Sequence, residues 1–199
     1  MDNDAPDSGK GGGLCATCFP DTATVTVTNC AFSGNTAGDR GGGMSTLGCT
    51  FVVTNCTFAG NTAESAGAIN ANAVYSPTIT NSILWDNTAT IEWENQMNDG
   101  SDPFISYSDI TGGCFSIFDA ICGDGNIESD PLFAYAASGD LHLTDGSPCI
   151  DTGSTAALPD DTADLDGDSD TTEQIPYDLD GNPRVVGDIV DMGAYELQP

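Results

Sequence analysis

The sequence predicts an all-β fold: a right-handed parallel β-helix of about four 26-residue coils, followed by a loop-rich C-terminal β cap. Three observations predict it. One phrase recurs at fixed spacing: TVTVTNCAFSGNTA at 24–37, TFVVTNCTFAGNTA at 50–63 and SPTITNSILWDNTA at 76–89, so that Asn29, Asn55 and Asn81 stand 26 residues apart. Within a copy, Val25 and Val27 alternate with Thr26 and Thr28, the period of a strand buried on one face. Asn and Gly break the alternation at the same places each time, while Gly and β-branched residues leave no room for a helical period.

Each element follows from these residues. The run Thr24–Thr28 is a first strand, Asn29 a bend that tolerates left-handed backbone angles, and Cys30-Ala31-Phe32 a second strand before Gly34-Asn35. Gly41-Gly42-Gly43-Met44 and Ala66-Gly67-Ala68-Ile69 supply a third, giving three strands per coil. A unit of this size cannot bury its apolar side alone and stacks on its neighbours. The crossover rule makes the coil right-handed. Stacking puts Val27, Val53, Ile79 and Ile105 in one inward ladder, Phe32, Phe58, Leu84 and Ile110 in a second, and Cys30, Cys56, Ser82 and Ser108 in a third. Asn29, Asn55 and Asn81 form a column whose amides bond along its length and shape the bends. The last turn is a degraded copy, and after Gly113 the period is lost. The chain therefore divides into coils (1–112) and a C-terminal region (113–199). Gly11-Gly12-Gly13-Leu14 repeats the third strand of a coil, so the helix is expected to start in mid-turn with an exposed edge. Asp188–Tyr195 offers short apolar strands to cap the far end or to meet another subunit.

Charge narrows the function. Lys10, Arg40 and Arg184 face 31 acidic residues, for a net charge of −28. Such a surface repels phosphate backbones and anionic membranes, which excludes nucleic acid and membrane insertion, and it attracts divalent cations. No stretch approaches the ~18 apolar residues of a membrane-spanning helix, and the first residues lack the pattern of a signal peptide. Eight cysteines suit an oxidising compartment. Cys114 and Cys122 bracket a short loop and form the favoured disulfide; Cys30 and Cys56, on adjacent turns, are either a bridge or stacked thiols.

The densest charge lies at 160–173, where Asp160, Asp161, Asp164, Asp166, Asp168, Asp170 and Glu173 crowd into fourteen residues. Carboxylates at Asp164, Asp166, Asp168 and Asp170, alternating around Gly167, have the look of an oxygen-rich Ca²⁺ loop, although not of an EF-hand, whose bidentate Glu is replaced by Ile175. Asp178 and Asp180 are a shorter second candidate. Trp85 and Trp93 either stack on sugar rings or pack a coil edge. His142, between Leu141 and Leu143, points outward as a surface residue.

Phe32-Ser-Gly-Asn35 and Phe58-Ala-Gly-Asn61, with Gly-Gly-Gly-Met44 and Ala-Gly-Ala-Ile69, resemble the FxxN and GGA[I/L] repeats of polymorphic outer-membrane-protein-type adhesins. The stretches ISYSDITGG (105–113), GNIESDPLF (125–133), GDLHLTDGSPCIDTG (139–153) and DLDGNPRVVGDIVDMGAYE (178–196) are similar to the C-terminal part of bacterial right-handed β-helix proteins with a choice-of-anchor Q domain. The resemblance implies an exported or surface-attached bacterial protein. Neither a leader before Met1 nor a sorting sequence after Glu196 matches that expectation. The expected function is a non-catalytic extracellular or cell-surface structural or adhesive protein. Its partners are other copies, stacked end to end into a filament, or a cell-surface polysaccharide. The alternative is a β-helix that binds or degrades polysaccharide. A lyase needs basic residues or a cation beside its base, and a hydrolase a pair of carboxylates across one groove; the three basic residues here are scattered.

Overall fold

The computed structural model describes residues 4–5, 9–18, 23–72, 76–91, 96–99 and 102–199. Its strands are β1 (Asp4–Ala5), β2 (Leu14–Thr17), β3 (Thr24–Thr28), β4 (Ala31–Ser33), β5 (Thr36–Ala37), β6 (Met44–Leu47), β7 (Thr50–Thr54), β8 (Thr57–Ala59), β9 (Thr62–Ala63) and β10 (Ile69–Asn72). There follow β11 (Thr78–Thr80), β12 (Ile83–Trp85), β13 (Thr88–Ala89), β14 (Met97–Asp99), β15 (Phe104–Ser106), β16 (Asp109–Ile110), β17 (Ile121–Cys122), β18 (Phe133–Tyr135) and β19 (Asp140–Leu143). No α-helix occurs among the described residues. The chain winds through about three turns of a parallel β-solenoid whose four sheets are β3–β7–β11–β15–β17, β4–β8–β12–β16, β1–β5–β9–β13 and β2–β6–β10–β14.

Each turn thus uses four strands where the sequence reading gave three. The extra one is the two-residue β5, β9 or β13, a Thr-Ala pair too short to show an alternation. The ladders are as expected: Val27, Val53, Ile79 and Ile105 pair in register, as do Phe32, Phe58, Leu84 and Ile110. From the second turn onward both ladders are fully buried. Phe32 and Phe58 stack with ring centroids 4.6 Å apart and planes 8° from parallel. Leu14, Met44, Ile69 and Met97 align across the β2–β6–β10–β14 sheet although their spacing departs from 26, so changes of repeat length are absorbed in the bends around that sheet.

The interior carries polar ladders too. Asn29, Asn55 and Asn81 adopt positive φ (49°, 52°, 51°), as bend residues must. Their mutual bonding is confined to one long contact, Asn81 Nδ2 to Asn55 Oδ1 at 3.4 Å. The well-formed asparagine ladder is the other column: Asn35 Nδ2 donates to Asn61 Oδ1 (2.9 Å), Asn61 Nδ2 to Asn87 Oδ1 (2.8 Å), and Asn87 Nδ2 to Gln96 Oε1 (2.8 Å). Beside the Phe column, the backbone N–H of Cys56 donates to Ser82 Oγ and that of Ser82 to Ser108 Oγ, so the small residues stack as predicted. Cys30 and Cys56 are stacked free thiols. A hydrogen bond from Cys56 draws the Cys30 pKa down to about 7, while burial pushes Cys56 up. The disulfides are Cys114–Cys122 and Cys18–Cys49, the latter joining adjacent turns just past β2 and β6.

Beyond Gly113 the stacking continues with a shorter step: β17 pairs with β15, and Asp109 bridges Ile127. Next comes the antiparallel β18–β19 hairpin. The rest of the chain corrects one expectation. Asp188–Tyr195 contains no strand, and it lies along the flank of the coils rather than across their far end. Gly193 N donates to Asn81 O (2.8 Å), Ala194 N to Thr57 Oγ1 (3.0 Å), and Ser154 N to Asn81 Oδ1 (2.7 Å); Asn29 Nδ2 donates to Tyr177 O (2.6 Å). Met192 and Cys149 pack on Ile83. Gly193 needs its missing side chain, with φ at 97° and a Cβ position 2.8 Å from both Ile83 Cδ1 and Thr57 Oγ1. The bend asparagines, expected to bond mainly to one another, are instead receptors for this strap, and Asn55 and Asn81 are fully buried.

Candidate functional site

The strap is held by a polar cluster. Arg184 is 1% exposed and its Nη2 donates to Asp191 O (2.8 Å) and Gly193 O (3.1 Å), with Glu196 Oε2 at 3.6 Å. Glu196 accepts from the N–H groups of Val186 and Asp191, and Asp191 from those of Asp151 and Leu197. Desolvation raises both carboxyls, that of Glu196 to about 7. Asp178 belongs to this framework: its oxygens accept from the N–H groups of Asp180, Asn182 and Glu196. Asp180 instead reaches His142 Nε2 (2.7 Å), while Asp140 holds His142 Nδ1 (2.6 Å). The His142 ring lies 4.1 Å from that of Tyr195. Burial alone would lower the His142 pKa; the hydrogen bonds that its ring donates to the carboxylates of Asp140 and Asp180 overcome it and the net shift is upward. Sequence reasoning placed His142 outward correctly but missed its partners, because Asp180 is 38 residues away and Tyr195 further still.

Tyr195, beside this cluster, and Leu179 line an open cleft of about 970 Å³. Its floor crosses β4, β8 and β12, where Ser33, Ala59 and Trp85 are aligned neighbours on successive turns. Two small residues followed by an indole side chain line this floor, and the span covers two coil spacings, about 10 Å. Phe133, the turn Ala136–Ser138, Leu179 and Tyr195 line the rest. Among the described residues Asp86 and Tyr195 are the ionisable groups of this lining. Of the two tryptophans singled out in the sequence, Trp85 is in the cleft, half-buried; Trp93 lies outside the described residues.

The acidic loop gathers part of its predicted set. Asp164, Asp166 and Asp168 each present a carboxylate oxygen within 4.8 Å of the others. Asp170 stands apart, bonded to the N–H and hydroxyl of Thr172, and Asp178 and Asp180 belong to the strap. Most of the loop carboxylates accept a nearby backbone N–H: Asp164 from Ser169, Asp166 from Asp168, Asp168 from Asp170. The fold and these two features define a disulfide-bonded, polyanionic parallel β-solenoid with a lateral cleft. Compared with models of known protein families, with curated proteins and with solved structures, the chain gave no significant match in any of the three.

Proposed function

We propose that this protein is a non-catalytic, extracellular or surface-displayed β-helix of structural or adhesive role. Its adhesive contact is the lateral cleft, which takes a neutral or amine-bearing saccharide. The observation that carries this reading is the makeup of the cleft: the side chains of Trp85 and Tyr195, with Asp86 the single carboxylate among the described lining residues. Aromatic side chains among small residues suit stacking of sugar rings. Glycoside hydrolysis by the usual route uses two carboxylates flanking one bond, so a lone Asp86 favours binding over turnover. A polyuronate lyase is disfavoured further, since Arg184 is spent inside the strap and a net charge of −28 repels a polyanion. Two disulfides and the adhesin-like repeats support export to an oxidising compartment.

The test is calorimetric titration with neutral and amino-sugar oligosaccharides, comparing the wild-type chain with Trp85→Ala. Binding of at least one such oligosaccharide, weakened about tenfold or more by the substitution, is expected of an aromatic anchor. Binding that Trp85→Ala leaves unchanged, or release of shortened sugars, overturns the reading.

A second reading, axial self-association, is favoured by one observation. Among the described residues β2, β3 and β4 each pair on one side only, and Leu14, Val25, Cys30 and Phe32 at that end are only partly buried. An open edge over an unfinished core suits the stacking of a second copy.

A further inference from the structure

We propose that the loop 161–173 holds a divalent cation of the Ca²⁺ type between the carboxylates of Asp161, Asp166 and Glu173, a set distinct from the alternating aspartates that the sequence suggests. One oxygen from each lies within 4.8 Å of the others. Oxygens on opposite sides of a Ca²⁺ ion are separated by about that much, given ligand distances of roughly 2.3–2.6 Å.

The decisive residue is Asp161. It is 1% exposed, its Oδ2 accepts from Leu165 N (2.7 Å), and its Oδ1 has no hydrogen-bond donor. Oε1 of Glu173 is likewise shut off from solvent and without a donor. Two anionic oxygens withdrawn from water, beside a third carboxylate, carry a desolvation cost and mutual repulsion that only a positive charge offsets. Among the described residues no basic side chain forms an ion pair with these carboxylates: Arg40 pairs with Asp39, and Arg184 with Glu196 inside the strap. Burial, and then the charges of Asp166, Asp168, Asp170 and Asp161, push the Glu173 pKa up, the direction expected of a carboxyl in an uncompensated anionic site.

The loop is built to hold such a set. Asp161 N donates to Glu173 O (2.7 Å), Ile175 N to Pro159 O (3.0 Å), and Asp160 bridges Gln174, so the two ends of the loop are pinned side by side. Leu158 and Ile175 anchor that neck in a small core with Val190. The twelve-residue separation of Asp161 and Glu173 therefore closes to ligand distance, which alternation along the sequence does not reveal. All the donors are oxygens, which selects a hard cation over Zn²⁺ or Cu²⁺, and an irregular loop suits the permissive geometry of Ca²⁺ better than the strict octahedron of Mg²⁺.

The experiment titrates chelator-treated full-length protein with CaCl₂ by calorimetry and follows its thermal unfolding in Ca²⁺ and in chelator. The wild-type chain is expected to bind Ca²⁺ and to melt higher with it. Glu173→Gln is expected to weaken binding by about tenfold or more, whereas Asp170→Asn, outside the set, shifts it by less than about twofold. If Glu173→Gln does not fold in chelator, Asp164→Asn and Asp168→Asn, which belong only to the outer group, take its place and are expected to shift binding by less than about twofold. No heat of binding together with a melt indifferent to chelator overturns the proposal. So does a Glu173→Gln protein that binds as the wild type does while Asp168→Asn fails to bind, since that puts the ion in the outer aspartates.

Discussion

Substituting Gly43 by Ala tests how tightly the coil interior is dictated by its side chains. The backbone there is not left-handed, so the methyl group acts by volume alone. It would lie 2.7 Å from Cδ1 of Phe58 and 2.9 Å from the carbonyl oxygen of Ala68. Gly13, one turn earlier, stands in the same relation to Phe32, at 2.7 Å. One turn later the register puts Ala68 at this position, and there the facing ladder carries Leu84 instead of Phe. Glycine thus goes with the ring and alanine with the smaller side chain. Gly43→Ala is expected to cost about 1–3 kcal/mol, the usual penalty of overpacking a dense core. Phe58→Leu alone loses the ring stack on Phe32 and leaves space, for a cost of about 1–3 kcal/mol. The double variant restores the Ala–Leu pairing of the next turn. It is expected to lose at least about 1 kcal/mol less than the sum of the two, a coupling within the range seen for touching residues. The rescue is partial, because the Ala68 carbonyl remains. Urea unfolding of the wild type and the three variants measures the cycle. Additivity within about 0.5 kcal/mol would refute the steric argument.

The pH dependence should run opposite to that of an ordinary acid-labile protein over the neutral range. Glu196 is raised from 4.5 to about 7 and Asp109 from 3.8 to about 6, both chiefly by burial, and His142 is raised above 6.5. A group whose folded pKa is raised stabilises fully below its unfolded value and loses that contribution as pH rises through the folded value. The melting temperature in chelator should therefore climb as pH falls from about 8 to about 5, and a flat or falling profile counts against the buried carboxylates. It should drop only in stronger acid, where Asp140 and Asp170, whose pKa values are lowered mainly by hydrogen bonds from His142 and Thr172, become protonated. For the stacking of copies through the β2, β3 and β4 edge, light scattering over a range of concentrations should show growth beyond the monomer, more so in Ca²⁺, which screens the negative surface. A monomer at every concentration, with and without Ca²⁺, excludes it.

The solenoid was legible because its signal is repetition. Val27, Val53 and Ile79, or Phe32, Phe58 and Leu84, identify their own neighbours by occupying the same place in consecutive copies. The Cys114–Cys122 pair was legible for the opposite reason, being so close in sequence that little geometry had to be known. What was not legible lies between regions that share no pattern. Cys18–Cys49 joins two turns where the repeat length changes, so no register pointed to it. Asn29, Asn55 and Asn81 were read as bends, which they are, but nothing in a column of asparagines says that a distant segment will dock there. The cleft at Trp85 needs the β18–β19 hairpin folded back over β4, β8 and β12, and the Asp161–Glu173 approach needs the neck at Ile175. Asp178 looked like a ligand from its spacing because a turn that caps its own N–H groups and a loop that binds metal draw on the same residue types.

The strap changes the thermodynamic character of the whole molecule. A bare solenoid is close to a one-dimensional array in which each repeat is coupled only to the next, so its ends can fray and its middle can persist. Here residues 154–194 touch the first turn through Asn29, the second through Thr57 and the third through Asn81, across sequence separations of 148, 137 and 73. One continuous segment bonded to all three turns ties their fates together. Losing any turn releases part of the strap, and losing the strap uncovers the polar bends of every turn. The array should therefore unfold as a single cooperative unit instead of unwinding coil by coil. Its folding is slowed by the same long-range contacts, since each closes a long loop before it contributes any stability.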